Sequence, residues 1–365
     1  MIEREKRNSS IEALRIIAML MIIAYHYAVQ GKAIGPAGGG TKIFLECASL
    51  WGKAGVNLFC LIMGYFGIQS TFKVKKVFQM EAQVIFYSLF GLFTALLFKC
   101  EISFRKVVMT FFPAVLCQYW FISAYIMVYI LSPFINRLLL QLDAVQFRRL
   151  IAIFLAFRSV VPFFTLQETS GLFWNQFIWF VVMYVIGAYL RSNKRVFSNK
   201  IHLVSLLICN VVLIASVIGI NWLSVYIPKL AKYTTYARWS NSPLVICMCI
   251  SMIRLVECRQ IGHIKWINYL AAGTLGIYLF HENIFIRDIL WNSLFNNTKY
   301  IGSYTIVIHI IAAITFVFLT GSLIDVLRRL LFLKMDTVFS FISDGVEKKV
   351  KDYEQKIDKI LRNGC

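Results

Sequence analysis

Residues 11–30 read IEALRIIAMLMIIAYHYAVQ. At about 1.5 Å per residue, this apolar run is long enough to cross the roughly 30 Å hydrocarbon core of a bilayer. It nevertheless contains Glu12, Arg15 and His26. Eleven helical steps separate Arg15 from His26 and amount to three turns plus about 20°, so both side chains share one face, and Glu12 joins them. A charge in hydrocarbon costs at least about 2.5 to 3.5 kcal/mol. We therefore expect this face to border protein or a wet cavity.

The composition of the whole chain agrees with a membrane protein. Hydrophobic residues make up 59% of the 365 residues and charged residues only 15%, against about 25% charged in soluble domains. The formal net charge of +20 comes from short basic clusters between apolar runs, so it indicates membrane topology and not a nucleic-acid partner. The nine cysteines show no metal-ligand spacing. We therefore expect neither a metal site nor a disulfide framework.

Apolar runs predict an all-α, polytopic integral membrane protein with about ten transmembrane helices. The predicted spans are 11–30, 48–70, 77–98, 115–135, 149–166, 173–190, 201–220, 243–258, 267–290 and 303–333. Basic residues are concentrated in alternate loops, which places both termini in the cytoplasm. Those on the inner side include Arg4, Lys6, Arg7, Lys73, Lys75, Lys76, Lys194, Arg195, Arg254 and Arg259, whereas the outer loop around Glu168 has no lysine or arginine.

The predicted domains are a transmembrane domain, 1–333, and a charged, amphipathic cytoplasmic tail, 334–365. Apolar residues recur in this tail at helical spacing. A contact with the membrane surface or with a partner is one interpretation of that pattern. A solvated helix lying against the loops is the other, and the modest amphipathicity favours it.

Polar groups inside the spans are the candidates for chemistry, because each must be paired or functional. The ninth span, like the first, runs outward, so we expect His281 to lie at the same depth as His26. Tyr278 shares the face of His281, and Glu282 and Asn283 follow it. Two histidines at one level suit proton transfer, since imidazole acts first as base and then as acid. The alternative is that each histidine is a buried polar residue that ties helices together.

The other polar positions favour structural interpretations. His202, His263 and His309 have no comparable neighbours in the sequence, and we expect them to be structural. In the second span, Asn57 lies among small residues that favour close helix packing. The segment QYWFISAY, 118–125, fits the aromatic belt found at membrane interfaces.

Four segments resemble those of one known family. Arg15 and His26, separated by ten residues in a first helix that opens IEALRIIAML, resemble the signature of the acyltransferase family 3 membrane proteins. GVNLFCLIMGYF (55–66), QYWFISAY and GIYLFH (276–281) are similar to further segments of that family, in the same order. Asn57 stands where the family usually has aspartate, and Met63 where it usually has serine.

The resemblance implies a bacterial enzyme of the cytoplasmic membrane that transfers an acyl group, usually acetyl, from cytoplasmic acyl-CoA to a hydroxyl of a cell-surface polysaccharide or its lipid-linked precursor. His26 would be the general base, Arg15 with Glu12 would bind the donor, and His281 and Tyr278 would orient the base or stabilise the oxyanion. A transient acyl-histidine is the alternative mechanism. A proton-coupled secondary transporter or glycan exporter is the alternative function, since buried arginine and histidine also mark proton relays. The sequence leaves open whether the protein forms a homo-oligomer.

Overall fold

The computed structural model describes residues 9–167, 173–193, 196–259 and 261–363, and these residues form helices and loops with no strand among them. The α-helices are α1 (Ser9–Gln30), α2 (Gly39–Ala48), α3 (Gly52–Gly67), α4 (Val74–Leu97), α5 (Phe104–Phe111), α6 (Trp120–Leu139), α7 (Ala144–Leu155), α8 (Val161–Phe164), α9 (Phe173–Ser192), α10 (Asn199–Tyr226), α11 (Pro243–Glu257), α12 (Lys265–Ala271), α13 (Thr274–His281), α14 (Ile286–Asp288) and α15 (Ile306–Asn363). Arg4, Lys6, Arg7, Glu168, Lys194 and Arg195, which contribute to the topology prediction, lie outside the described residues.

Within the described residues, seven helical stretches are long and apolar enough to cross a membrane. They are Ser9–Gln30, Gly39–Gly67, Val74–Leu97, Trp120–Leu139, Asn199–Tyr226, Pro228–Glu257 and Ile306–Val350. The all-α, multi-pass character is therefore confirmed, whereas the predicted number of about ten spans is not. Three predicted spans, 149–166, 173–190 and 267–290, have no counterpart among the seven.

Two of these three predicted spans are interrupted helices. Residues 149–166 are divided between α7, a π-helix at Ala156–Val160 and α8. Residues 267–290 break between α12 and α13 and again after His281. At the second break, the side-chain oxygen of Asn283 accepts hydrogen bonds from the backbone N–H of Phe285 (2.9 Å) and Ile286 (3.4 Å). Such local bonds compete with the helical pattern, so the chain turns at this point.

Helices α1, α3 and α9 pack closely because glycines line their contacts. A Cβ atom on Gly55 would lie 2.5 Å from the carbonyl oxygen of Ala18, and one on Gly64 would lie 2.0 Å from that of Tyr184. Asn57 is fully buried between these helices; it donates to the Ser240 carbonyl and accepts from the Trp179 indole. The architectural interpretation of Asn57 and its neighbouring glycines is thus confirmed.

Helix α13 is held against α4 and α15 by a buried carboxylate. Asp325 of α15 forms ion pairs of 2.8 Å with both Arg328 and Arg329, and it accepts a hydrogen bond from the Tyr87 hydroxyl of α4. A Cβ atom on Gly276 of α13 would lie 2.4 Å from both the Asp325 carboxylate and the Tyr87 hydroxyl. Only glycine therefore lets α13 approach this cluster as closely as it does.

The last helix is much longer than a membrane span. Helix α15 has 58 residues, which corresponds to about 87 Å. It passes the predicted domain boundary at residue 333 without a break, and the division into domains stays a prediction. Beyond that boundary, Lys75 of α4 bonds to Asp336 and Ser340 at 2.8 Å each.

Candidate active site

His26 of α1 and His281 of α13 are in direct contact. Nδ1 of His26 lies 2.9 Å from Nε2 of His281, and both residues are buried. The prediction that they lie at the same depth is therefore confirmed. They are 255 positions apart in the sequence, so the contact depends on how the first and late helices assemble. The rings do not stack; their planes are tilted by 53°.

The hydrogen bonds around this pair determine where each imidazole carries its proton. Nδ1 of His281 lies 2.6 Å from the carbonyl oxygen of Ile277. Because a carbonyl only accepts, that nitrogen carries the hydrogen, and Nε2 of neutral His281 is an acceptor. Nδ1 of His26 must then donate to it. Nε2 of neutral His26 is consequently left without a hydrogen, which is the form required of a general base.

Glu282 completes this group. Its Oε1 atom lies 3.4 Å from Nδ1 of His26, and the residue is 8% exposed. That oxygen has no hydrogen-bond partner among the described residues. A carboxylate in this position stabilises a positive charge on His26 after the imidazole has taken up a second proton. The sequence pointed to Glu282 only as a neighbour of His281, without a role.

These three side chains could also hold a metal ion, and no other group of this kind is found among the described residues. The ligand atoms of His26, His281 and Glu282 lie within 4.8 Å of one another. The 2.9 Å between the two nitrogens is an ordinary hydrogen-bond length, so a chain of hydrogen bonds accounts for the arrangement by itself. The expectation that no metal takes part stays a prediction.

Arg15 lines a cavity near this group. Its guanidinium pairs with Glu12 at 3.1 Å, and its side chain keeps 28% of its surface exposed. The cavity beside it has a volume of about 200 Å³. Most of the lining is apolar: Met19, Ile22, Val56, Phe59, Met80, Phe121, Ile122, Ala271, Ala272 and Leu275, together with Arg15, Tyr125, Thr274 and Tyr278.

Tyr278 connects the cavity with the histidine pair. It lines the cavity, and its ring meets that of His281 edge to face, with centroids 6.1 Å apart. The residue is 5% exposed, yet its hydroxyl has no hydrogen-bond partner among the described residues. A buried hydroxyl that bonds to no protein group is available to a bound molecule. The structure thus brings Arg15 and Tyr278 to one cavity, and Tyr278 to the histidines.

Aromatic residues that were expected at the membrane interface instead form the wall of this site. Tyr119 and Phe121 are 1% and 7% exposed, so the interfacial interpretation is wrong for them. Phe121 packs edge to face on Tyr278, and the Tyr119 hydroxyl accepts a hydrogen bond of 2.8 Å from Asn283. The QYWFISAY segment gave no signal for this role apart from the family resemblance.

Cationic and aromatic side chains lie near His26. Tyr25 meets His26 edge to face at 5.4 Å, and the Lys53 ammonium lies 5.7 Å from the Tyr25 ring and 6.0 Å from that of Trp120. Arg238 lies 5.1 Å from the Tyr25 ring and also bonds to Ser49. The site therefore offers ring faces and N–H donors near His26.

His309 fits the structural role expected of it. Its Nδ1 atom lies 2.7 Å from the Tyr27 hydroxyl, and its ring stacks on Tyr300 with centroids 3.8 Å apart. These contacts tie α15 to α1 near the site. His202 is also buried, whereas His263 is exposed.

Together, the fold and the site define a polytopic membrane protein with a buried pair of histidines close to a mostly apolar cavity. The family model described as an acyltransferase domain matches residues 8–324, nearly the whole chain. The chain belongs to the acyltransferase family 3 membrane proteins and is a membrane acyltransferase. Searches of curated proteins and of solved structures gave no match.

Proposed function

We propose that this acyltransferase moves an acyl group, acetyl in the simplest case, from cytoplasmic acyl-CoA to a hydroxyl of an extracytoplasmic polysaccharide or its lipid-linked precursor. The observation that carries the proposal is the cavity lined by both Arg15 and Tyr278, because the Tyr278 ring also contacts that of His281. The cation and the apolar walls of the cavity suit the phosphates and the arm of acyl-CoA, and the neighbouring histidine pair would act on its thioester.

Arg15 would hold an anionic or polar part of the donor. Its pairing with Glu12 fixes the guanidinium at the cavity while leaving part of it exposed. Arginine binds phosphate oxygens through its planar fork of N–H donors. With both termini in the bacterial cytoplasm, Arg15 lies toward the inner side of α1, the side from which a polyanionic thioester that cannot cross the membrane would arrive.

His26 would activate the acceptor. Its Nε2 atom takes the proton of the sugar hydroxyl as the hydroxyl oxygen attacks the thioester carbonyl carbon. The carbon–sulfur bond then breaks, and the thiolate takes that proton back from His26. His281 and Glu282 hold the imidazole in the required orientation and stabilise its charged form. Attack by His26 itself, through an acyl-histidine, would need the same orientation.

Tyr278 would stabilise the oxyanion that forms on the thioester carbonyl. Its hydroxyl is buried at the cavity and free of protein partners among the described residues. A donor fixed in this way before the reaction needs little reorganisation when charge develops. On the outward side of His26, the rings of Tyr25 and Trp120 and the ammonium of Lys53 would face the acceptor sugar.

The test is acyl transfer by the purified chain in proteoliposomes, with labelled acetyl-CoA and surface glycan from the producing cell. We expect label in the glycan, and mass spectrometry should find one acetyl mass on a sugar hydroxyl. The His26→Ala variant should form product about 10² to 10⁴-fold more slowly, whereas the exposed His263→Ala variant should match the unaltered chain. A His26→Ala variant as fast as the unaltered chain would refute the role of His26 as general base. Glycan movement across the membrane without acyl-CoA consumption would support the exporter instead.

A further inference from the structure

The end of α15 carries an apolar repeat that the rest of the chain covers only in part. Between residues 339 and 363, the sequence reads FSFISDGVEKKVKDYEQKIDKILRN. Spacings of four and three alternate along Phe339, Ser343, Val346, Val350, Tyr353, Ile357 and Ile360. All but one of these positions are apolar. Alternating spacing of this kind, sustained over three heptads, is the a and d pattern of a coiled coil.

The structure shows where this repeat leaves the body of the protein. Helix α15 is continuous to Asn363. Lys75 of α4 bonds to Ser340, and Phe339 and Ser343 are buried. One heptad further, Val350 is 48% exposed. The apolar face is therefore covered within the chain at its start and open at Val350.

The charges beside the repeat favour a second copy of the same segment as the occupant. With Val350 and Ile357 at a positions, Lys349 and Lys356 occupy g positions, and Glu347 and Glu354 occupy e positions. In a parallel pair, each g residue faces an e residue of the partner strand, so Lys349 meets Glu354. In an antiparallel pair, g would face g and lysine would meet lysine. In the parallel pair, Lys356 would face Leu361 and Glu347 would face Ile342, so it is the Lys349–Glu354 contact that favours the parallel pair over the antiparallel one.

The membrane also agrees with this occupant. Two copies inserted in one membrane point their last helices in the same direction, which is the parallel arrangement. Anchoring in the membrane raises the effective concentration of one helix near another, so a short coiled coil is sufficient.

We propose that residues 346–363 form a parallel two-stranded coiled coil with the same segment of a second copy, which makes the protein a homodimer. The proposal does not depend on the acyl-transfer reaction. Its test is the mass of the full chain in detergent or nanodiscs, measured by light scattering over a range of concentrations. The unaltered chain should be a dimer.

Replacing an a residue with a charge tests the contact itself. Ile357→Asp should raise the dimer dissociation constant about ten-fold or more, because it places a carboxylate from each strand in the seam. The matched control is Gln355→Asp, two residues away at an f position that faces outward, and it should remain dimeric. A monomeric unaltered chain, whether or not it binds lipid vesicles, would overturn the proposal, as would a dimer that Ile357→Asp leaves intact.

A charge exchange tests the parallel pairing. Lys349→Glu should weaken the dimer because the new carboxylate would face Glu354 of the partner strand. Lys349→Glu combined with Glu354→Lys should restore it. Positions five apart on one helix do not face each other, so the recovery cannot come from within a single strand. A double variant as weak as the single one would refute this pairing.

Discussion

At the scale of single residues, the proton positions in the histidine pair lead to the first prediction. Because Ile277 fixes the proton of His281, His26 is the imidazole with a bare Nε2 atom. His26→Ala should lower acyl transfer by about 10² to 10⁴-fold, the range for loss of a general base. The measurement is the initial rate of glycan acetylation at saturating acetyl-CoA.

His281→Ala separates the base from the residue that orients it. Without His281, Nδ1 of His26 loses its acceptor, but Nε2 is still present. We therefore expect a smaller loss than for His26→Ala, mainly in kcat. Equal losses in the two variants, with residual activity unchanged in the double variant, would mean that the pair acts as a unit.

Tyr278 leads to a prediction about the oxyanion. Tyr278→Phe keeps the ring against Phe121 and His281 and removes only the hydroxyl. The rate should fall by about 10² to 10³-fold, with little change in KM. Tyr226→Phe is the control, since Tyr226 is 70% exposed at the end of α10. An unchanged rate in the Tyr278→Phe variant would mean that another hydrogen-bond donor stabilises the oxyanion.

Arg15 should act on donor binding. Arg15→Ala removes the cation at the cavity, and we expect KM for acetyl-CoA to rise about ten-fold or more while kcat changes little. This fold-change corresponds to roughly 1.4 kcal/mol of lost binding. Arg15→Lys should recover only part of it, because an ammonium lacks the planar fork. If only kcat changed, Arg15 would not take part in binding the donor.

The sequence predicted much at this scale, and its limits have a physical cause. The shared face of Arg15 and His26 follows from helical periodicity, which is local. The contact between Glu282 and His26 depends on helix packing over a long sequence separation, and so does the burial of Tyr119 and Phe121. No local pattern distinguishes a tyrosine in an aromatic belt from one in the wall of a site.

At the scale of helices, the closeness of α13 to α15 leads to a prediction about stability. Gly276→Ala would push a methyl group into Asp325 and Tyr87. We expect it to cost about 1 to 3 kcal/mol of unfolding free energy, and to reduce activity by moving His281. Gly219→Ala in α10 is the control, because no atom lies within 4 Å of the added carbon. Thermal unfolding in detergent should separate the two variants.

The break after His281 shows why the sequence predicts the presence of a helix more easily than the residue at which it ends. The apolar run over 267–290 is long enough for a span. Asn283 ends α13 because its side chain bonds to the backbone ahead, to the Tyr87 carbonyl of α4 and to Tyr119. Two of these partners come from distant parts of the chain, so the sequence around Asn283 could not reveal them.

At the scale of the whole molecule, the inferred topology can be tested with cysteines. If both termini are cytoplasmic, Cys100 lies outside and Cys258 inside. In chains that retain only one of these cysteines, an impermeant maleimide should label Cys100 in intact cells and Cys258 only after permeabilisation. The opposite pattern would invert the topology and place Arg15 toward the outside.

The distance in sequence between His26 and His281 has a consequence for synthesis. The ribosome makes one histidine near the beginning and the other 255 residues later. A nascent chain that has inserted only its early helices has no fixed proton acceptor and no finished cavity wall. Incomplete or truncated copies should therefore not hydrolyse the acyl donor by transferring its acyl group to water.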